Sequence, residues 1–132
     1  MTEFKEEDKV SGNARVSDNA SVFGDAEVYG DARVYGDARV FGNAEVCGNA
    51  EICGNAVIKD NSDYIVFKNH WSSGRHFTWT RSNDMWKVGC FYGTGKELIE
   101  KAYEDSEISG KHYEMYVELV EKIKKCEGGE NK

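Results

Sequence analysis

Between Val10 and Asp63 aliphatic residues fall on every sixth position, at Val10, Val16, Val22, Val28, Val34, Val40, Val46, Ile52 and Ile58, and in the first eight hexads an alanine follows four residues later. A helix would need apolar residues about every 3.6 positions and a solitary strand every second one, so neither explains a period of six. A short strand followed by a corner, repeated, does. The aliphatic residue and the alanine both point inward, and the Gly and Asn or Asp between them, as in Gly36 and Asp37, tolerate a turn. Three hexads then make one triangular coil, and nine make three. Backbone bonding between coils about 4.8 Å apart gives a prism only about 15 Å tall.

Hexads such as V-Y-G-D-A-R, repeated without interruption over 10–63, resemble the hexapeptide-repeat, left-handed parallel β-helix superfamily, which includes acyltransferases and γ-class carbonic anhydrases. The resemblance implies a left-handed three-coil β-helix; it says little about activity, because one fold hosts many functions. Coils stacked in this way place Asn13, Asp31 and Asn49 in one corner ladder, Asn19, Asp37 and Asn55 in a second, and Asp25, Asn43 and Asn61 in a third. No Asp lies on an Asp, so an amide can donate to the carboxylate above or below it. The outer ladders become Ser11, Tyr29, Cys47; Ser17, Tyr35, Cys53; and Phe23, Phe41, Lys59. So much outward aromatic surface is expected to be covered. Relatives of this fold are usually trimers, which makes a homotrimer the expected state, and a single prism covered by its own C-terminal segment the alternative. Open strand edges need caps. Residues 1–9, with Phe4 as a degenerate inward position and Glu6, Glu7 and Asp8 against end-to-end pairing, are expected to cover one end.

After Asp63 the period stops, and residues 64–132 read as a small α+β module of about three strands and two helices. "DYIVF", "GRHFTWTRS" and "MWKVGCFYG" are the strands, with Ser82, Asn83 and Asp84 as the turn joining the last two. A helix starts at Thr94, where Glu97 completes a capping box, and carries Leu98, Ile99, Ala102 and Tyr103 on one face. A second runs from about Lys111 to Lys125 with Tyr116, Leu119, Val120 and Ile123 as its stripe. The whole is mainly β: cap 1–9, β-helix 10–63, module 64–132. "DYIVF" and "GCFYGT" also look like a module of short hexapeptide-repeat proteins of gut bacteria and their phages, which implies a bacterial or viral setting and names no ligand.

Charge is uneven along the chain. Its 132 residues carry a net −7, but residues 64–96 hold 5 basic and 1 acidic side chains together with all three Trp. Aromatic faces interleaved with cations suit an anionic ligand bearing a flat ring, because stacking and charge pairing then act together. Trp71, Arg75, His76, Trp79 and Arg81 are the candidate ligand-binding residues; the alternative is that the aromatics form the core of a tiny sheet. Lys96 joins them, since Gly93, Thr94, Gly95 and Lys96 bring N–H groups, a hydroxyl and a cation to a helix start, although ordinary capping explains the same residues. The segment is not a Walker motif, for Cys90 and Glu97 stand where Gly and Ser or Thr are required.

No His falls within the hexads and no loop interrupts them; His70, His76 and His112 all lie beyond. The general base of the acyltransferases and the zinc ligands of the carbonic anhydrases are therefore missing from the repeat. No catalytic residue, metal or cofactor is expected; an enzyme would have to use Cys90 with His76 or His112. The four cysteines follow no disulfide or zinc spacing and are expected to be reduced and mostly packed. Without an 18-residue apolar run or a leader, no membrane span or secretory signal is expected, and the cytoplasm of a bacterium or phage-infected host is the default. The leading expectation is a non-enzymatic trimeric protein that captures a small, nucleotide-like anion, as in a phage protein sequestering a host signal. A long nucleic acid would meet the acidic prism and helices. A structural scaffold or protein-protein adaptor is the alternative, and an acyltransferase-like enzyme is disfavoured.

Overall fold

A computed structural model describes residues 9–129; the expected N-terminal cap lies outside them except for Lys9. The chain divides into two compact units, residues 1–92 and 93–132.

In the first unit, eight two-residue strands each pair an aliphatic residue with the residue before it: β1 (Arg15–Val16), β2 (Ser21–Val22), β3 (Glu27–Val28), β4 (Arg33–Val34), β5 (Arg39–Val40), β6 (Glu45–Val46), β7 (Glu51–Ile52) and β8 (Val57–Ile58). All pairing is parallel at an offset of 18 residues, as in Arg15 with Arg33, Val40 with Ile58 and Glu27 with Glu45. The sheets are β1-β4-β7, β2-β5-β8 and β3-β6, the last extended by a bridge from Val10 to Val28. This is a β-solenoid arrangement. From Val22 to Ile58 every repeat Val, Ile and Ala is at most 1 % exposed, while Val10, Ala14, Val16 and Ala20 at the other end are only partly buried.

The corners follow from the Gly and Asn or Asp pair. In the first, the Ala14 N–H donates to the Ser11 carbonyl (3.2 Å), and the glycines of the repeat sit at φ between +64° and +69°. Asp18 occupies the one corner without glycine; it adopts φ 58° and its carboxylate accepts from the Gly36 N–H at 3.2 Å. Two of the expected ladders each show a bonded rung, Asn13 Nδ2 donating to Asp31 Oδ1 (3.1 Å) and Asn19 Nδ2 to Asp37 Oδ1 (3.3 Å), whereas Asn61 of the third accepts from the Glu45 N–H in a 3₁₀ turn.

Alternate N–H groups in the stack, on the odd-numbered residues from Ser11 to Phe41, donate to a carbonyl 17 residues on, as from Ser11 to Val28 and from Arg33 to Ala50. The series ends with Phe41, which donates to Ile58, and an unpaired N–H cut off from water is costly. The last hexad and the chain beyond it supply acceptors from side chains. Glu45 N–H donates to Asn61 Oδ1 (2.9 Å), Glu51 N–H to Thr78 Oγ1 (3.1 Å), Val57 N–H to Ser82 Oγ (2.8 Å) and Lys59 N–H to Asp63 Oδ2 (2.7 Å). Cys47 N–H reaches the Tyr64 hydroxyl (3.4 Å), which itself donates to the Glu45 carbonyl (2.7 Å). Burial pushes that phenol up to about 12, so it keeps the proton it donates. Thr78→Val preserves shape but leaves Glu51 N–H without its acceptor. Urea unfolding should show a loss of about 1–3 kcal/mol; an unchanged midpoint would refute the capping role of Thr78.

These acceptors ride on a 3₁₀ turn at Asn61–Asp63, on β9 (Tyr64–Lys68), on β10 (His76–Thr80) and, for Ser82, on the turn that follows β10. With β11 (Met85–Val88) and β12 (Phe91–Gly93), β9 and β10 form a sheet in the order β12-β11-β10-β9, β10 running antiparallel to both neighbours. The expected third strand is thus two, interrupted at Gly89, which turns at φ 55°. Tyr64 and Val66 pack against the repeat core. Alternation carries Phe67, Phe77, Trp79 and Trp86 to the other face, where Phe67 lies 5.5 Å from Phe77 and 5.9 Å from Trp86 between ring centroids.

The second unit is a helical pair, α1 (Gly95–Asp105) and α2 (Glu107–Lys124), packed on each other and followed by a π-helical turn, Lys125–Gly129. Thr94 and Glu97 make the expected capping box. The second helix begins earlier than expected because Ser106 caps it, its Oγ accepting from the Ser109 N–H (3.0 Å). Leu98 and Ala102 of α1 are buried, as are Gly110, Tyr113, Val117 and Val120 of α2. A Cβ at Gly110 would strike the Tyr103 ring, so glycine lets that ring lie on the α2 backbone. The expected stripe of α2 is corrected: Leu119 is 44 % exposed. The helix is apolar on two sides, and Tyr113, Val117 and Val120 are the side that is packed. The cysteine expectation also changes in part. All four are free, but Cys90 and Cys126 are exposed, and Cys53, buried with its thiol pushed up by that burial, is the packed one.

Candidate functional site

Of the candidate residues of the first unit, His76 and Trp79 lie on opposite faces of β10, while Trp71 and Arg75 lie in the connection before it and Arg81 just after it. Trp79 is fully buried, its indole N–H donating to Asp84 Oδ1 at 2.8 Å. Arg81 lies over that indole, its Cζ 5.4 Å from the ring, while its Nε donates to the Ser62 carbonyl (3.1 Å) and sits 3.9 Å from Asp63 Oδ1. Its backbone N–H also reaches the Asp63 carbonyl (2.9 Å). Together these contacts fasten β10 to the turn that caps the repeat. Trp71 is half-buried, edge-on to His70 at 5.4 Å and to Phe77 at 6.5 Å.

Arg75 and His76 are brought together. The β9–β10 connection is held by buried Asn69, whose N–H donates to the Arg75 carbonyl (2.8 Å) and whose Oδ1 accepts from the Ser72 N–H (2.9 Å). Gly74, at φ 75°, completes the loop. Arg75 lays its guanidinium against Gly89, where any Cβ would collide with it. From there Arg75 and His76 line a cleft of about 340 Å³ with Asp31, Arg33, Asn49 and Glu51 of the repeat. Arg33 Nη1 stands 3.4 Å from Glu51 Oε2, so the cleft carries both signs of charge. These four repeat residues are absent from the set chosen by aromatic and basic clustering. The 18-residue offset, which puts Arg33 beside Glu51 and Asp31 beside Asn49, is the signal that finds them.

Lys96 belongs to the second unit, in the first turn of α1. There Thr94 Oγ1 accepts from the Glu97 N–H (3.2 Å) and Glu97 Oε1 from the Thr94 N–H (2.9 Å), so a carboxylate of the chain already occupies the anion-favouring end of the helix. Among the described residues no three His, Cys, Asp or Glu side chains are grouped to hold a metal ion, and no helix is long and apolar enough to cross a membrane. On α2, Ile108 is 62 % exposed and Met115 56 %; with Leu119 they make the apolar surface of this unit that charge and aromatic content do not reveal.

A family model described as the YdcK beta solenoid repeat matches residues 9–24, 26–42 and 32–48, in agreement with the stacked parallel strands of that region. No curated protein and no solved structure matches the chain.

Proposed function

We propose that this chain is a non-enzymatic assembly scaffold, in which the repeat, wound as a left-handed three-coil β-helix, is a rigid frame and the helical pair is the part that meets protein partners. The observation that carries this reading is the run of exposed apolar side chains on α2, Ile108, Met115 and Leu119, on a helix whose other apolar side is already packed. Burial of Trp79, beside Phe77 and Trp86, all at most 1 % exposed, supports packing as its role, while Trp71 is half-buried. Trimerisation of the frame, expected from its resemblance, finds support in the outward stack of Phe23 on Phe41, 4.9 Å between centroids and 7° from parallel. Native mass spectrometry of gently purified protein should show more than one protein chain per particle and no retained small molecule. A lone monomer at tens of micromolar, without a partner protein, would refute the proposal.

Capture of a small anion is a second reading, favoured by Arg33, Arg75 and His76 around one cleft. By this reading nucleotides raise the melting temperature of the wild type and not of Arg75→Ala. The absence of a shift with any nucleotide favours the scaffold.

A further inference from the structure

We infer that the exposed side of α2 is a self-docking surface, on which a second copy of this chain lies antiparallel. The inference rests on the scaffold reading and names its partner. Ile108, His112, Met115, Leu119 and Lys122 recur at alternating intervals of four and three residues, the spacing of a helix–helix seam. Scattered apolar residues on a surface are ordinary, but three in one seam, 44–62 % exposed, are not. The side chain of His112 is fixed in that seam, its Nδ1 2.9 Å from the Ile108 carbonyl.

Charge selects the occupant and its direction. In an antiparallel pair with two-fold symmetry, Ile108 meets Leu119 of the second copy and His112 meets its Met115, and the reverse. That register sets the flanking Lys111 opposite Glu118 of the second copy, twice. It also brings the first turn, with acidic Glu107, to the last turn, with basic Lys122 and Lys124, and opposes the helix dipoles. A parallel pair would set Lys111 against Tyr116 and Glu118 against Ile123, where neither charge is met. The existing Lys111–Glu107 contact at 3.5 Å, with side chains 64 % and 74 % exposed, is worth little and does not oppose the exchange.

The test is mass by light scattering under reducing conditions across a concentration series, with circular dichroism to verify folding. The wild type should contain an even number of 14.9 kDa chains, and Leu119→Glu should halve that number. Lys111→Glu and Glu118→Lys, at exposed positions that leave the fold intact, should each weaken the half-to-whole association about tenfold, since both symmetric pairs turn repulsive. The double charge swap should restore association to within about threefold. A monomer or a trimer for the wild type, an unchanged mass for folded Leu119→Glu, or a double swap no better than its parents would overturn the inference. A trimer held by the frame would sink this pairing and leave the scaffold reading standing, whereas a partnerless monomer would sink both.

Discussion

Trp79→Ala is expected to destabilise the first unit by about 3–5 kcal/mol, the range for emptying a buried indole site. The ring is fully enclosed, lies under Arg81 and bonds to Asp84, so its loss opens a cavity and removes the indole N–H that Asp84 Oδ1 accepts. Arg75→Ala, by contrast, removes an exposed side chain from a cleft and should stay within about 0.5 kcal/mol of the wild type. Guanidinium-chloride unfolding of the two variants reads both values. If Trp79→Ala were neutral, or Arg75→Ala the more damaging, the assignment of Trp79 to packing and Arg75 to the surface would be wrong.

Gly42→Ala should also be severe, and Gly48→Ala should not. Both glycines lie at positive φ, +67° and +65°, where an alanine costs roughly 1–2 kcal/mol from backbone sterics. At Gly48 the new methyl would meet nothing within 4 Å. At Gly42 it would stand 2.6 Å from the Lys59 carbonyl oxygen, a backbone atom that can move only by separating stacked strands. A further loss of about 1–3 kcal/mol is expected from that overpacking. Thermal unfolding of the matched pair isolates the clash from the φ term; equal losses would mean that the stack yields at that corner. Gly48→Asn should cost less than Gly48→Ala, since an Asx residue already takes the same positive φ at the equivalent position of another corner, at Asp18.

The repeat was legible because its information is local and redundant: each Val, Ala and Gly states the same rule, and eight strands pair at the one offset that the period allows. The capping box at Thr94 was legible for a similar reason, since both partners lie within four residues. Trp79 and Arg75 show where such reading stops. They stand four residues apart in one aromatic and basic stretch, yet Trp79 lies within β10 with its ring in a core, while Arg75 lies in the connection before β10, held by Asn69, and lines a cleft. Lys96 was chosen for a helix start whose capping groups come from its own chain. On α2 the periodicity allowed two apolar sides, and only packing against α1 selects Tyr113, Val117 and Val120 as the inner one.

By itself, the sequence determined the period, the inward and outward positions, the corner glycines and the alternation of Asp with Asn, all consequences of near-neighbour chemistry repeated every six residues. Only the tertiary structure decided what finishes the stack. The hydroxyls of Tyr64, Thr78 and Ser82 become the acceptors that the last strands lack because a non-repeating sheet places them there, 17 to 27 residues from the N–H groups they satisfy. Such pairings depend on where separate elements dock, and nothing in the spacing of these residues along the chain encodes that.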